Sequence, residues 1–113
     1  MEYKELKEKI VQWGKDRNIF EFSTPIKQLH KTQEELDETM NALVAFADAK
    51  TEKAKEKAME EVIDGIGDMG VTLMMLCHKV DVDFVECLAS AYDVIKDRKG
   101  KMINGLFVKE LWQ

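Results

Sequence analysis

Thr24–Ala49 reads TPIKQLHKTQEELDETMNALVAFADA. Thr24 suits a helix N-cap and Pro25 the first helical position, where a missing N–H costs nothing. Ile26, Leu29, Leu36, Met40, Leu43 and Ala47 then recur at spacings of three, four and seven, the period of one helical face. One long amphipathic helix running to about Ala49 is the expectation.

The flanking segments read the same way. Leu6, Ile10 and Trp13 share a face in a first helix over about Glu2–Arg17. Asn18–Ser23 reads as a linker carrying Ile19, Phe20 and Phe22. Thr51 can cap a third helix reaching His78 or Lys79, with Val62, Ile66, Met69, Leu73, Leu76 and Val80 as its stripe. Asp83 with Glu86 resembles a capping box for a fourth helix to about Arg98, ended by Gly100. Lys101–Gln113 fits no single class, and Leu106, Phe107, Val108, Leu111 and Trp112 are candidates to pack on the bundle or on a partner. The expected fold is all-α, a four- to five-helix bundle forming one domain over residues 1–113.

At 113 residues, with 45% hydrophobic and 35% charged, the chain is long enough to bury a core without staples. No apolar run reaches the length of a membrane span. Met1–Lys9 has no apolar h-region, so no secretory signal is expected. Cys77 and Cys87 lack CxxC spacing, and a reducing, cytoplasmic compartment is the simplest reading. A net charge of −5 argues against binding nucleic-acid polymers through a basic surface. The charge is uneven: Lys31–Asp68 holds eleven acids and five bases, Val94–Gln113 five bases and two acids. That asymmetry fits either a metal-plus-phosphate site or a solvated acidic surface with a basic end.

Two polar stripes carry the candidate chemistry. Gln28, Lys31, Glu35 and Glu38 are spaced three, four and three apart, on one helical face. Lys57, Glu61, Asp64 and Asp68 repeat the pattern on the next helix. Leu29, Leu36 and Val62 each follow a stripe member by one residue, about 100° round the helix. Both stripes therefore border the apolar face, where a face made for solubility would oppose it. Facing each other, they bring five carboxylates together, stable only if a divalent cation binds or some acids stay protonated. Oxygen ligands without histidine or thiolate favour Mg²⁺, with Mn²⁺ as a substitute. The competing reading is a pair of Glu-rich helices with no ligand.

Gln33-Glu-Glu-Leu-Asp-Glu38 resembles the EExxE motif of the MazG-like all-α nucleoside triphosphate pyrophosphohydrolases, and Glu61-Val-Ile-Asp64 their following ExxD. Lys96-Asp-Arg-Lys-Gly-Lys-Met-Ile-Asn-Gly105 looks like the end of small phage-type members. The resemblance covers about Thr24–Val108. It implies hydrolysis of a (d)NTP to (d)NMP and pyrophosphate in nucleotide-pool housekeeping, with Mg²⁺ on Glu35, Glu38, Glu61, Asp64 and Asp68. It implies that Glu34, Glu35 and Glu38 serve catalysis, Glu34 by orienting or deprotonating water. Gln28, Lys31, Lys96 and Arg98 would contact phosphates. A homodimer or homotetramer with the site near a subunit interface is also implied. The chain departs from the pattern where Asp64 is followed by Gly-Ile-Gly, which leaves Asp64 and Asp68 both eligible as the principal ligand. Asp93 or Asp97 stands near where many relatives have an Asn, which puts base or sugar recognition in doubt.

Gly65-Ile-Gly-Asp-Met-Gly70 matches GxGxxG, but no strand precedes it and two acids would repel a bare pyrophosphate. Three glycines within a helix point to close approach of another helix, room beside Asp64 and Asp68, or a kink. Lys96, Arg98, Lys99 and Lys101 suit either phosphate contact or a basic helix end. Trp13, Phe20 and Phe22 read as core or dimer interface before base-stacking, and His30 and His78 as structural or surface residues. The alternative to an enzyme is a catalytically silent helical interaction or regulatory module.

Overall fold

The computed structural model describes residues 1–110. They are mostly helical: α1 (Tyr3–Asp16), α2 (Ile19–Phe22), α3 (Pro25–Asp48), α4 (Glu52–Lys79) and α5 (Phe84–Ile95), followed by β1 (Gly100–Ile103) and β2 (Leu106–Lys109). Contacts divide the chain into two compact units, Met1–Val82 and Asp83–Gln113. Among the described residues no helix is long and apolar enough to cross a membrane.

The expected caps form. Thr24 Oγ1 accepts from the Lys27 N–H and Thr51 Oγ1 from the Ala54 N–H, each at 3.1 Å. Asp83 Oδ2 accepts from the Glu86 N–H at 3.3 Å, one half of a capping box. Each bond satisfies an N–H that lacks a partner within its own helix. The expected linker instead holds the one-turn helix α2, entered through Asn18 in the left-handed conformation (φ 59°). Asn tolerates that conformation better than most side chains.

α3 and α4 form the body of the first unit. Thr32 meets Thr72, hydroxyl to hydroxyl at 2.7 Å, and Thr39 packs against Gly65. Seven residues forward on α3 is seven back on α4, so the helices run antiparallel. Their shared seam is small and polar. On α3 it is Gln28, Thr32, Glu35, Thr39 and Ala42, buried or half-buried, and on α4 Ala58, Val62, Gly65, Thr72 and Met75 are buried. A Cβ on Gly65 would overlap Thr39 Oγ1, so this glycine permits the close approach. α1 packs on α4, with Gly14 placed where a Cβ would press on Met75 Sδ at 2.7 Å.

This corrects the expected core. Leu36, Met40 and Leu43 stay 50%, 57% and 50% exposed, and Ile26 and Leu29 are exposed too. The residue row one position earlier faces α4, because Thr, Ala and Gly let two backbones approach where Leu and Met would hold them apart. Ile66 and Val80 of the α4 stripe are likewise exposed.

In the second unit, α5 ends at Ile95, short of the expected Arg98. Gly100 does not cap the helix; it opens β1, which pairs antiparallel with β2 from Gly100↔Lys109 to Ile103↔Leu106. Asn104 (φ 50°) and Gly105 (φ 82°) make the two-residue turn. Positive φ at both positions is what a hairpin with right-handed twist requires. Leu106, Phe107 and Val108 are exposed strand residues. Leu111 and Trp112 lie outside the described residues.

Candidate functional site

The seam rows fix where the polar stripes fall. On α3, Lys31, Glu34 and Glu38 each precede a seam residue by one position. On α4, Lys57, Glu61 and Asp64 do the same, and Asp68 precedes the half-buried Met69. Two antiparallel helices are related by a two-fold axis normal to their common plane, so flanks of the same sense share one face of the pair. One cavity of about 260 Å³ on that face is lined by Glu38, Glu61, Asp64, Gly65 and Asp68. The structure thus brings together four of the five expected carboxylates.

Glu35, the fifth, belongs to the seam itself. It is 7% exposed, and its Oε2 has no hydrogen-bond partner. Its Oε1 lies 3.7 Å from Lys31 Nζ. Burial pushes its carboxyl above the ordinary glutamate range, and the charges of Glu38 and Asp68 push it further, against an opposing pull from Lys31. Lys31 Nζ also donates to Glu34 Oε2 at 2.9 Å, and that bond, with the Glu34 charge, holds the ammonium above its ordinary range.

A second cavity of about 360 Å³ adjoins the first. Trp13, Ile19, Gln28, Lys31, Glu35, Asp68, Val71, Thr72 and Met75 line it. Asp68 is common to both cavities. The Trp13 ring carries the Arg17 guanidinium 4.3 Å from its centroid. The Gln28 amide donates to Ser23 Oγ at 2.8 Å. Thr72, in that lining, meets Thr32 across the seam, and the hydroxyl that accepts there donates to a backbone carbonyl of its own helix, Gln28 O for Thr32 or Met69 O for Thr72.

Glu34 lines neither cavity; it is exposed and engaged by Lys31. Lys96 and Arg98 belong to the second unit, where Lys96 Nζ lies 3.5 Å from Asp93 Oδ1. His78 stacks on Phe20 at 4.3 Å, tilted by 51°, and Lys79 Nζ donates to the Phe20 carbonyl, so this end of α4 anchors α2. Of the three helix glycines, Gly65 answers to close helix approach, while a Cβ at Gly67 or Gly70 would meet nothing within 4 Å. Thr32, Val71, Thr72 and Met75 were absent from the residues singled out as a site. Thr32 could have been found, since it falls between Gln28 and Glu35 on the same row.

Among the described residues no group of three carboxylates, histidines or thiols is drawn together as a finished metal shell. The donors present nonetheless suit a hard cation that keeps several waters and takes one or two carboxylates. The observation bearing on that fit is Glu35 Oε2, a buried oxygen without a partner, on a carboxyl that feels the charges of Glu38 and Asp68.

No family model and no solved structure matches the chain. It is similar to an uncharacterized 18.2 kDa protein in the rep-hol intergenic region of Haemophilus phage HP1 (strain HP1c1), 36% identical over 76 residues. The match takes in 67% of this chain and 40% of that protein's length.

Proposed function

We propose that the chain is a Mg²⁺-dependent nucleoside triphosphate pyrophosphohydrolase, converting a (d)NTP and water to a (d)NMP and pyrophosphate. The observation that carries this reading is the buried, unpartnered Glu35 carboxylate oxygen in a residue lining the larger, largely apolar cavity, which shares Asp68 with the acid-lined one. The MazG-like motifs at Gln33–Glu38 and Glu61–Asp64 supply its reaction class.

Glu35, Glu38, Glu61, Asp64 and Asp68 would hold the cation. The chemistry a bound Mg²⁺ supplies is a lowered pKa for water and offset of charge developing on phosphoryl oxygens. A triphosphate is itself strongly anionic, so it cannot sit beside these acids without added positive charge. Lys31, which lines the larger cavity, would contribute one such charge on leaving Glu34. The second cavity has room for a nucleoside, with Trp13, Ile19 and Met75 as apolar walls and Gln28 as a hydrogen-bonding group. Asp68, common to both, would stand at the junction of nucleoside and phosphates. Glu34 would orient or deprotonate the attacking water after exchanging Lys31 for it.

The test is incubation with a panel of dNTPs and NTPs in Mg²⁺, with EDTA and Glu38→Gln as controls. The expected result is turnover of one base or sugar class, lost in both controls. Folded protein that turns over no nucleotide would favour the silent interaction module.

A further inference from the structure

Gln28 lines the larger cavity together with Trp13 and Ile19. It precedes Glu38 of the acid cavity by ten residues on α3, about 15 Å along the helix. Its amide is held at one end. Nε2 donates to Ser23 Oγ at 2.8 Å, and Ser23 Oγ donates to the Thr24 carbonyl at 3.5 Å. A hydroxyl has one proton to give. With that proton on Thr24 O, Ser23 accepts from Gln28, so Nε2 faces Ser23 and Oε1 is left for the cavity. The half-buried Ser23 is itself fixed, because its N–H donates to Ile19 O at 2.8 Å. The Gln28 N–H donates to Thr24 O at 3.0 Å, which closes the same turn. Two other polar groups of the lining are engaged elsewhere, Lys31 by Glu34 and Thr72 by Thr32. At the end of the cavity away from the acids, the group that the Gln28 amide offers is therefore an acceptor.

We infer that Gln28 Oε1 reads the base, and that the site takes nucleotides whose base carries an exocyclic amino group, cytosine or adenine, over the oxo counterparts uracil and hypoxanthine. The inference rests on the nucleoside occupying the larger cavity, with its phosphates toward the acids. An amino N–H donates to Oε1, whereas a keto oxygen in its place sets two acceptors against each other. The members of each pair match in ring size and shape. The apolar walls Trp13, Ile19 and Met75 cannot tell them apart, and a hydrogen-bonding group can. Turning the amide round to serve a keto oxygen would put Oε1 against Ser23 and oblige Ser23 to release Thr24 O. Ser23 is thus a positioning residue: it sets which edge of the Gln28 amide meets the ligand. Gln28 thereby moves from the phosphate contact that the family resemblance implies to the base.

Turnover of dCTP against dUTP and of dATP against dITP tests it, beside calorimetric binding of deoxycytidine and deoxyuridine without Mg²⁺. The expected result is a kcat/KM ratio of roughly tenfold or more for the amino member of each pair, the scale of one net hydrogen bond. Gln28→Met removes the acceptor and should bring both ratios near unity. Ser23→Ala frees the amide to turn and should narrow them by raising turnover of the oxo member, a gain that loss of structure does not give. Ser23→Thr, which keeps the hydroxyl, should restore them. Deoxycytidine should bind more tightly than deoxyuridine, and Gln28→Met should level the two. Equal use of both members by an active enzyme overturns the inference and leaves the reaction class standing, as does a preference that survives Gln28→Met. No turnover, with deoxycytidine still preferred and levelled by Gln28→Met, overturns the reaction and supports the base site. Neither turnover nor nucleoside binding overturns both.

Discussion

The Thr39 hydroxyl occupies the space that a side chain at position 65 would need, so Gly65 sets how closely α3 and α4 approach. Gly65→Ala should therefore destabilise the protein by about 1–3 kcal/mol through overpacking, despite alanine's better helix propensity. Gly67→Ala faces open space and should stabilise by roughly 0.5–1 kcal/mol. Urea unfolding of both variants checks the opposite signs.

The Thr32 and Thr72 hydroxyls meet at 2.7 Å, one donating to the other while the accepting hydroxyl donates to a carbonyl of its own helix. Valine at either position loses the shared bond and strands no buried partner, so each should cost about 0.5–1.5 kcal/mol. The double variant should cost less than the sum, with a coupling of at least roughly 0.5 kcal/mol in a double-mutant cycle.

Glu35 makes the protein's stability depend on pH in an unusual direction for a carboxylate. Its folded value is raised by burial first, then by Glu38 and Asp68. A raised acid favours the folded state when protonated. Its contribution is thus fully present below the ordinary glutamate value of 4.5 and is lost as pH rises through the folded value. Between mildly acidic and neutral pH, without divalent cation, Glu35→Gln should melt higher than wild type, and the gap should widen as pH rises. Mg²⁺ should raise the wild-type melting temperature at neutral pH and leave Glu35→Gln nearly unmoved.

Trp13 lines the larger cavity beside Ile19 and Met75. If that cavity takes the nucleoside, Trp13→Ala should raise KM by about tenfold, the scale of one lost base–aromatic stack. kcat should change little, because uniform binding is what is removed. Steady-state kinetics on the preferred nucleotide separates the two constants.

The sequence made the helices legible but not the faces they bury. Thr24, Thr51 and Asp83 announce their helices because a cap is a local interaction among residues three apart. Which row of α3 meets α4 is a tertiary choice. Hydrophobicity favoured Leu36 and Met40, whereas the observed seam uses Thr32, Thr39 and Ala42, whose small size allows tight packing against Gly65 and Thr72. The rule that core rows are the most apolar fails here, where Leu36, Met40 and Leu43 stay exposed. Spacing put each acid stripe on one face of its own helix; that Glu38, Glu61, Asp64 and Asp68 line one cavity depends on how the helices pair. Glu35's burial did not, because it depends on the same seam choice. The Asn104-Gly105 turn carried a readable hairpin signal, flanked by Met102, Ile103, Leu106 and Phe107, which the basic run before it obscured.

Phosphorus NMR of a turning-over (d)NTP in Mg²⁺ tests whether these acids support cleavage between the α- and β-phosphates. Nucleoside monophosphate and pyrophosphate should appear together in equal amounts, abolished by EDTA and by Glu38→Gln. Orthophosphate with nucleoside diphosphate as the primary products, or no phosphorus product from any nucleotide, would contradict it.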